Sequence, residues 1–362
     1  MRKLVSIALV LLVVPLAARA QKKSLSLDEA IAAGLEASPA LHASRMKAES
    51  SSARARELAA GRLPSFKLGA GYTRLSEVPP FQVTLPISPD PIVVSQNYFN
   101  NWNLRLSVQQ PLFTGFRLEA GTESARMLER SAGFDLAKDR SEFVFAVKNA
   151  YWALARAREF EAVVGETIRQ VQEHLKDVRA FFDQGLLTKN EVLRAELQLT
   201  TTELTAIDAR NAVEIARTSL VSLLGFPVET DLELTSSAES LISRAPAADR
   251  TGDASDSARS LLDAALTGRP ELKSAEFRIK ASEAGLKAAR AGWYPQVSLA
   301  GNVYYLRPNP RLLPSQDRFY GTWDVGIAVS FDVWNWGQTK SQAQQAEAQL
   351  AQARDSRKLL ED

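Results

Sequence analysis

The chain has no cysteine among its 362 residues. That excludes disulfides, thiol nucleophiles, thiolate metal sites and a lipid-bearing cysteine behind a leader. Histidine is nearly missing as well. His42 and His174 are the two present, each alone on a helical stretch and without metal-ligand spacing. No phosphate-cradling glycine loop, nucleophile elbow or His-Glu-x-x-His pattern occurs. Charge of one sign is not in excess, with 44 Lys and Arg against 42 Asp and Glu, so no basic tract marks a nucleic-acid partner. Carboxylates stand beside basic neighbours, as in Glu191/Arg194 and Asp139/Arg140, which fits solvated helix faces better than acid–base pairs. The expectation is a protein that is not an enzyme and carries no cofactor or metal.

Long apolar runs are also lacking, except at the start. Residues 1–20 read MRKLVSIALVLLVVPLAARA, with a basic beginning, an apolar run from Leu4 to Val14 and a small-x-small site at Ala18–Ala20. These are the parts of a secretory signal peptide, too short for a span that needs about 20 apolar residues. Without it the balance is 41 basic to 42 acidic residues. No later segment has the length of a helical span, so insertion into a membrane has to be by strands.

What is present is a duplication. SPALHASR around Pro39 matches RPELKSAE around Pro270, and AGRLPSFKLGAGY from Ala60 matches AGWYPQVSLAGNV from Ala291, both 231 residues apart. WNLRLSVQQPLFTG from Trp102 matches WDVGIAVSFDVWNWG from Trp323 at an offset of 221. Each copy runs helix, strand, loop, strand, helix. The first covers residues 21–235 and the second 259–362, joined by a polar linker over 236–258. The loop from Leu75 to Asn101 holds five prolines, which forbid a regular helix or central strand there.

Four segments alternate, near residues 65–74, 102–112, 296–305 and 323–333. Phe66, Leu68, Ala70 and Tyr72 share a face of the first; Trp102, Leu104, Leu106 and Val108 share one of the second. Val297, Leu299, Gly301 and Val303 do so in the third, and Trp323, Val325, Ile327, Val329, Phe331 and Val333 in the fourth. About ten residues suffice for a tilted strand to cross a bilayer. A soluble sheet with one wet face would alternate too. The aromatics favour the membrane: Trp102, Trp293, Trp323, Trp334 and Trp336 lie at or just beyond strand ends, where amphipathic rings meet headgroups. Four strands are too few to close, and an open sheet in lipid leaves backbone groups unsatisfied at several kcal/mol each. Protomers must therefore pool strands, two giving eight or three giving twelve. On the polar faces, Lys67, Arg105, Asp324 and Asp332 are the candidates for lining a lumen and tuning its ion selectivity.

The remainder is helical: Leu27–Leu63 with a break near Pro39, Arg117–Phe182 and Thr188–Leu224, the last two forming a hairpin over 117–224. At 1.5 Å per residue the longest is about 100 Å. The last helix carries two seams with 4-3 spacing. One is Leu193, Leu197, Thr200, Leu204 and Ile207; the other runs from Ala195 through Leu199, Thr202, Ala206, Ala209, Val213, Ala216 and Leu220 to Leu223. Two seams mean neighbours on both sides, as in a wall of helices. A plain coiled-coil spacer would also have this length.

In SLDEAIAAGLEASPAL, GRLPSF, GWYPQV, QQPLFTGF, FDVWNWGQ, FFDQGLLTKNEVLRAELQL and LVSLLGFP, in that order, the chain resembles the TolC-like outer-membrane efflux proteins. The resemblance implies an α+β membrane protein, a homotrimer with a twelve-stranded barrel in outer-membrane lipid and a periplasmic α-barrel of helical hairpins. It implies an exit duct for efflux or type I secretion, working with a periplasmic adaptor protein and an inner-membrane pump or secretion ATPase. The tip segment makes Gln184, Gly185, Leu186, Leu187, Thr188, Asn190 and Glu191 the candidates for adaptor docking and gating, with helix capping the alternative for Gly185 and Thr188. One departure is evident: the second copy has 25 residues after Gly337 and no second hairpin, so a truncated second repeat is expected. The competing readings are a periplasmic adaptor, which should have one hairpin and no duplicated strand pairs, and a structural envelope spacer, which leaves the strands unexplained.

Overall fold

The structure is a computed structural model that describes residues 23–79, 81–83, 92–95, 97–236, 260, 263–264 and 266–362. The leader over 1–20 lies outside the described residues, as does the linker beyond Ser236. The elements named here are, in order, β1 (Lys23–Leu25), α1 (Leu27–Ala37), α2 (Pro39–Ala60), β2 (Ser65–Arg74), β3 (Phe81–Val83), β4 (Ile92–Ser95) and β5 (Asn100–Phe113). There follow α3 (Arg117–Asp183), α4 (Lys189–Leu224), β6 (Leu232–Leu234), α5 (Pro270–Ala289), β7 (Gln296–Arg307), β8 (Tyr320–Ser330) and α6 (Gln338–Glu361). The chain falls into two compact units, Met1–Ala43 with Asp139–Ala254, and Ser44–Lys138 with Ser255–Asp362.

The first unit is a helical core. Ser26 opens α1 with a capping box, its hydroxyl accepting from the Glu29 N–H while the Glu29 carboxylate accepts from the Ser26 N–H. The break expected near Pro39 falls at Ser38, whose hydroxyl accepts from the Leu41 N–H at 3.4 Å, and Pro39 takes the first helical position, where no N–H is needed. Leu27 and Ala30 of α1 meet Phe143, Val147, Tyr151 and Leu154 of α3 and Leu220, Val221 and Leu224 of α4. A parallel pair, β1 with β6, closes this core through Leu25 and Leu232. Three-residue strands are too short to show alternation, and the sequence reading missed them. Tyr151, fully buried, ties them down: its hydroxyl donates to the Leu25 carbonyl at 3.0 Å and accepts from the Ser236 N–H at 3.1 Å.

The second unit contains an antiparallel four-stranded sheet in the order β2-β5-β7-β8. Each sequence repeat supplies two adjacent strands, and the β5–β7 ladder joins the copies. The sheet chain leaves β5 through Gly115, whose φ of +61° and whose position 2.5 Å (for an added Cβ) from the Ala291 carbonyl admit no side chain. Beside the sheet, Ser131 and Ser274 are buried and hydrogen-bonded at 2.9 Å, and Asp135 accepts from Ser274 and Arg278 at 2.6 Å each, joining α3 to α5.

Strand limits differ from expectation in one respect that matters. The fourth strand was expected over 323–333 but runs Tyr320–Ser330. Ser330 pairs with Gln296, the first residue of β7, and Pro295 before it has no N–H to continue the ladder. Asp332 and Val333 thus lie past the strand, and Asp332 is not part of the sheet's polar face. In the proline-rich loop β3 and β4 pair antiparallel, β3 lying between Pro80 and Pro86 and β4 following Pro91.

Candidate functional site

Register decides which side chains share a face. Residues directly opposite in neighbouring strands project to the same side. Phe66, Leu68, Ala70 and Tyr72 of β2 stand opposite Val108, Leu106, Leu104 and Trp102 of β5. Leu106 is opposite Val303 of β7, and Val303 is opposite Trp323 of β8. Gly301 meets Val325, Leu299 meets Ile327 and Val297 meets Val329. The four apolar faces therefore merge into one, and none of the described residues covers it: Leu68 is 72% exposed, Trp323 71% and Val325 67%. Contiguous apolar surface of this extent marks a lipid or protein contact.

Rings gather at both ends of the strands. Tyr72 packs on Trp102 with centroids 4.6 Å apart, and Tyr305 stacks on Phe319 at 5.1 Å. At the other end Phe116 meets Phe113 edge-on at 5.3 Å and Tyr294 at 5.8 Å. Trp334 and Trp336 form a third pair there, both largely exposed.

The opposite face is polar. One row across all four strands reads Lys67, Ser107, Asn302, Asp324, and the next reads Gly69, Arg105, Tyr304, Thr322. Arg105 donates through Nε and Nη2 to the Asn302 Oδ1 at 3.1 and 2.8 Å, and its guanidinium lies 5.3 Å from the Tyr304 ring centre. Asn302 donates through Nδ2 to the Asp324 Oδ1 at 2.7 Å. Arg311, from the loop between β7 and β8, reaches the other Asp324 oxygen at 3.3 Å. Of the four residues expected on this face, the structure brings Lys67, Arg105 and Asp324 together and leaves Asp332 out. Asn302 and Arg311, the two that organise the charges, were not singled out by sequence reasoning. Asn302 was visible as a polar-face position, whereas Arg311 sits in a loop whose course no periodicity reveals.

The second candidate is the turn between α3 and α4. The Gly185 N–H bonds to the Phe182 carbonyl and the Leu186 N–H to the Phe181 carbonyl, each at 2.9 Å, with Gly185 at φ +72°. That is a Schellman ending, and it gives Gly185 a capping role. Thr188 occupies the N-cap of α4 without a side-chain bond, and Asn190 lies inside the first turn. Leu187 turns inward onto Leu175, Val178 and Ala195, while Gln184, Leu186, Thr188 and Asn190 remain exposed. Glu191 pairs with Arg194 at 3.6 Å. Along α4 the two seams part company. Ala195, Thr202, Ala209 and Leu220 are buried, whereas Leu193, Leu197, Leu204 and Ile207 stay exposed, Leu197 at 68%.

Among the described residues no helix is long and apolar enough to cross a membrane, and no group of histidines and carboxylates is placed to hold a metal ion.

The chain matches the family model described as outer membrane efflux protein over residues 30–226 and 261–358. It is 21% identical over 267 residues to the outer membrane efflux protein BepC of Brucella suis biovar 1, covering 74% of this chain and 55% of that one. It is 27% identical over 200 residues to the probable efflux pump outer membrane protein TtgC of Pseudomonas putida, covering 55% and 38%. The chain thus spans about half the length, or less, of these curated relatives. Among solved structures, the outer membrane protein VceC of Vibrio cholerae superposes with a TM-score of 0.72 at 19% identity, over 92% of this chain and 75% of that one. CusC superposes with a TM-score of 0.73 at 18% identity, over 91% and 71%. These likenesses establish the fold as that of outer-membrane efflux channels, and none of the proteins named is described as an adaptor or a spacer.

Proposed function

We propose that this chain, which belongs to the outer membrane efflux protein family, is one subunit of an exit duct whose sheet lies in the outer membrane and whose helical hairpin lies in the periplasm. The observation that carries the proposal is the sheet with one continuous bare apolar face and one polar face, both of whose edges, β2 and β8, are unpaired among the described residues. In lipid, unpaired edges cost several kcal/mol for each unsatisfied group, so the sheet has to be completed by other copies. β2 and β8 run in opposite directions, which lets β8 of one copy continue into β2 of the next as an antiparallel pair. Three copies would give the twelve strands of a closed barrel, with apolar faces to lipid and polar faces to a water-filled lumen.

The exposed seam of α4 supports the same assembly. A helix whose second seam is exposed among the described residues is suited to a neighbouring protomer, and alanines in the buried seam keep the intrachain approach close. The exposed tip residues Gln184, Leu186, Thr188 and Asn190, with Leu187 and Glu191 beside them, are the surface we assign to a periplasmic adaptor, with Gly185 shaping the turn. An inner-membrane pump or secretion ATPase would supply the energy, since a passive duct needs no reaction of its own.

The test is the native mass of the gene product extracted in detergent from an isolated outer-membrane fraction. A trimer is expected. A monomer, or protein recovered only from the soluble periplasm, would overturn the reading.

A further inference from the structure

We infer that the polar face of the sheet makes the duct selective for anionic solutes, with Lys67 and Arg105 setting the sign; the inference rests on the reading of this face as a lumen wall. Along β2, β5, β7 and β8 the polar face carries three charged residues, Lys67, Arg105 and Asp324, and they occupy two adjacent rows at mid-strand. The single acid is already engaged. Asp324 accepts from Asn302 at 2.7 Å and from the Arg311 guanidinium at 3.3 Å, so its charge is answered by a loop residue that is not on a strand.

Arg105 is held differently. Both nitrogens it uses go to the amide oxygen of Asn302, a neutral acceptor, and its flat side lies toward Tyr304. Asn302 has two polar ends and uses one for Arg105 and the other for Asp324. It therefore orients the guanidinium while standing between it and the carboxylate. Lys67, in the same row as Asp324 but three strands from it, faces Ser107. Among the described residues neither Lys67 nor Arg105 has an ion-pair partner. The face thus presents two uncompensated positive charges per chain.

The surroundings leave those charges open. A Cβ built on Gly69, Gly71 or Gly326, which share this face, would meet nothing within 4 Å, so no described side chain covers these positions of the belt. A confined, low-dielectric passage lined by charge of one sign concentrates the opposite ion. Screening sets the reach: the Debye length is about 10 Å at 0.1 M salt and about 3 Å at 1 M, so the preference should be strong in dilute salt and weak in concentrated salt.

The experiment reconstitutes the detergent-purified native oligomer of the full chain in neutral planar bilayers and reads reversal potentials in KCl gradients near about 0.1 M and about 1 M. The expected chloride-to-potassium permeability ratio exceeds one in dilute salt and approaches one in concentrated salt. The pair Lys67→Gln with Arg105→Gln should lower the dilute-salt ratio roughly threefold or more, and Asp324→Asn should raise it. Native mass in detergent shows that each variant assembles. A potassium preference in the natural protein, or a ratio that the double variant leaves unchanged, overturns the inference while the duct reading stands. Oligomers that conduct no ions at all overturn the duct reading and the inference with it.

Discussion

Placing one arginine at two consecutive positions of β5 tests the face assignment with the chemistry held constant. Leu106 is at the middle of the strand, in a row with Leu68, Val303 and Trp323; Ser107 is in the row of Lys67, Asn302 and Asp324. The two positions differ in depth by one residue, about 3.4 Å, but project to opposite sides. An arginine on the lipid face of a barrel near the midplane costs about 2–4 kcal/mol per protomer. At 1.4 kcal/mol per tenfold, that is a shift of about 30- to 700-fold in the insertion equilibrium. Ser107→Arg meets water instead. Its nearest penalty is repulsion from Lys67 directly opposite, about 0.2–1 kcal/mol. The lipid term therefore dominates. The assay is the share of expressed protein recovered in the outer-membrane fraction and resistant to urea extraction, with native mass in detergent as the measure of assembly. Leu106→Arg should be depleted, while Ser107→Arg, like Arg105→Ser, should insert and assemble. Equal insertion of Leu106→Arg and Ser107→Arg, or a greater defect in Ser107→Arg, would refute the assignment.

Gly185→Ala at the tip should lower stability by about 1–2 kcal/mol, the backbone cost of a left-handed alanine, because an added Cβ there has open space. Gly115→Ala should be worse in the same thermal-unfolding measurement, since its Cβ would lie 2.5 Å from a backbone carbonyl as well. Tyr151→Phe should cost about 1–3 kcal/mol by stranding the Leu25 carbonyl and the Ser236 N–H, read from the unfolding midpoint. Leu197→Asn with Leu204→Asn should lower the detergent-extracted mass from trimer toward monomer without changing helix content by circular dichroism, both side chains being exposed within the chain. The Arg307 guanidinium, by hydrogen bond and charge, holds the Asp317 carboxyl below its ordinary value of 3.8. A depressed pKa adds stability above the unfolded value, so proteolysis of the 308–319 loop should be the same from neutral pH down to about 4 and rise only below it.

The strands were legible because their side chains alternate, and a sheet with one apolar and one polar face demands alternation all along the strand. The α4 seams were legible for the same reason at helical spacing, and their near-equal apolarity explains why neither could be ranked: Leu197 reads as apolar as Leu199, yet one is bare and the other packed. The expected fourth strand lies three residues too far along because Asp332 and Val333 continue the alternation, while hydrogen bonding ends where the partner strand ends. The β1–β6 pair was invisible because its two short segments lie more than two hundred residues apart and meet only through the core around Tyr151.

The sequence by itself determined the duplication, the α+β make-up and the two faces of every strand, because each follows from local pattern. Only the tertiary structure decided strand order and register, and these convert four separate stripes into one apolar surface and one charged belt. It also decided which acid answers which base. Asp324 is taken by Arg311 from a loop and Arg105 by the amide of Asn302, since electrostatic balance depends on distances of a few ångströms that spacing along the chain does not encode.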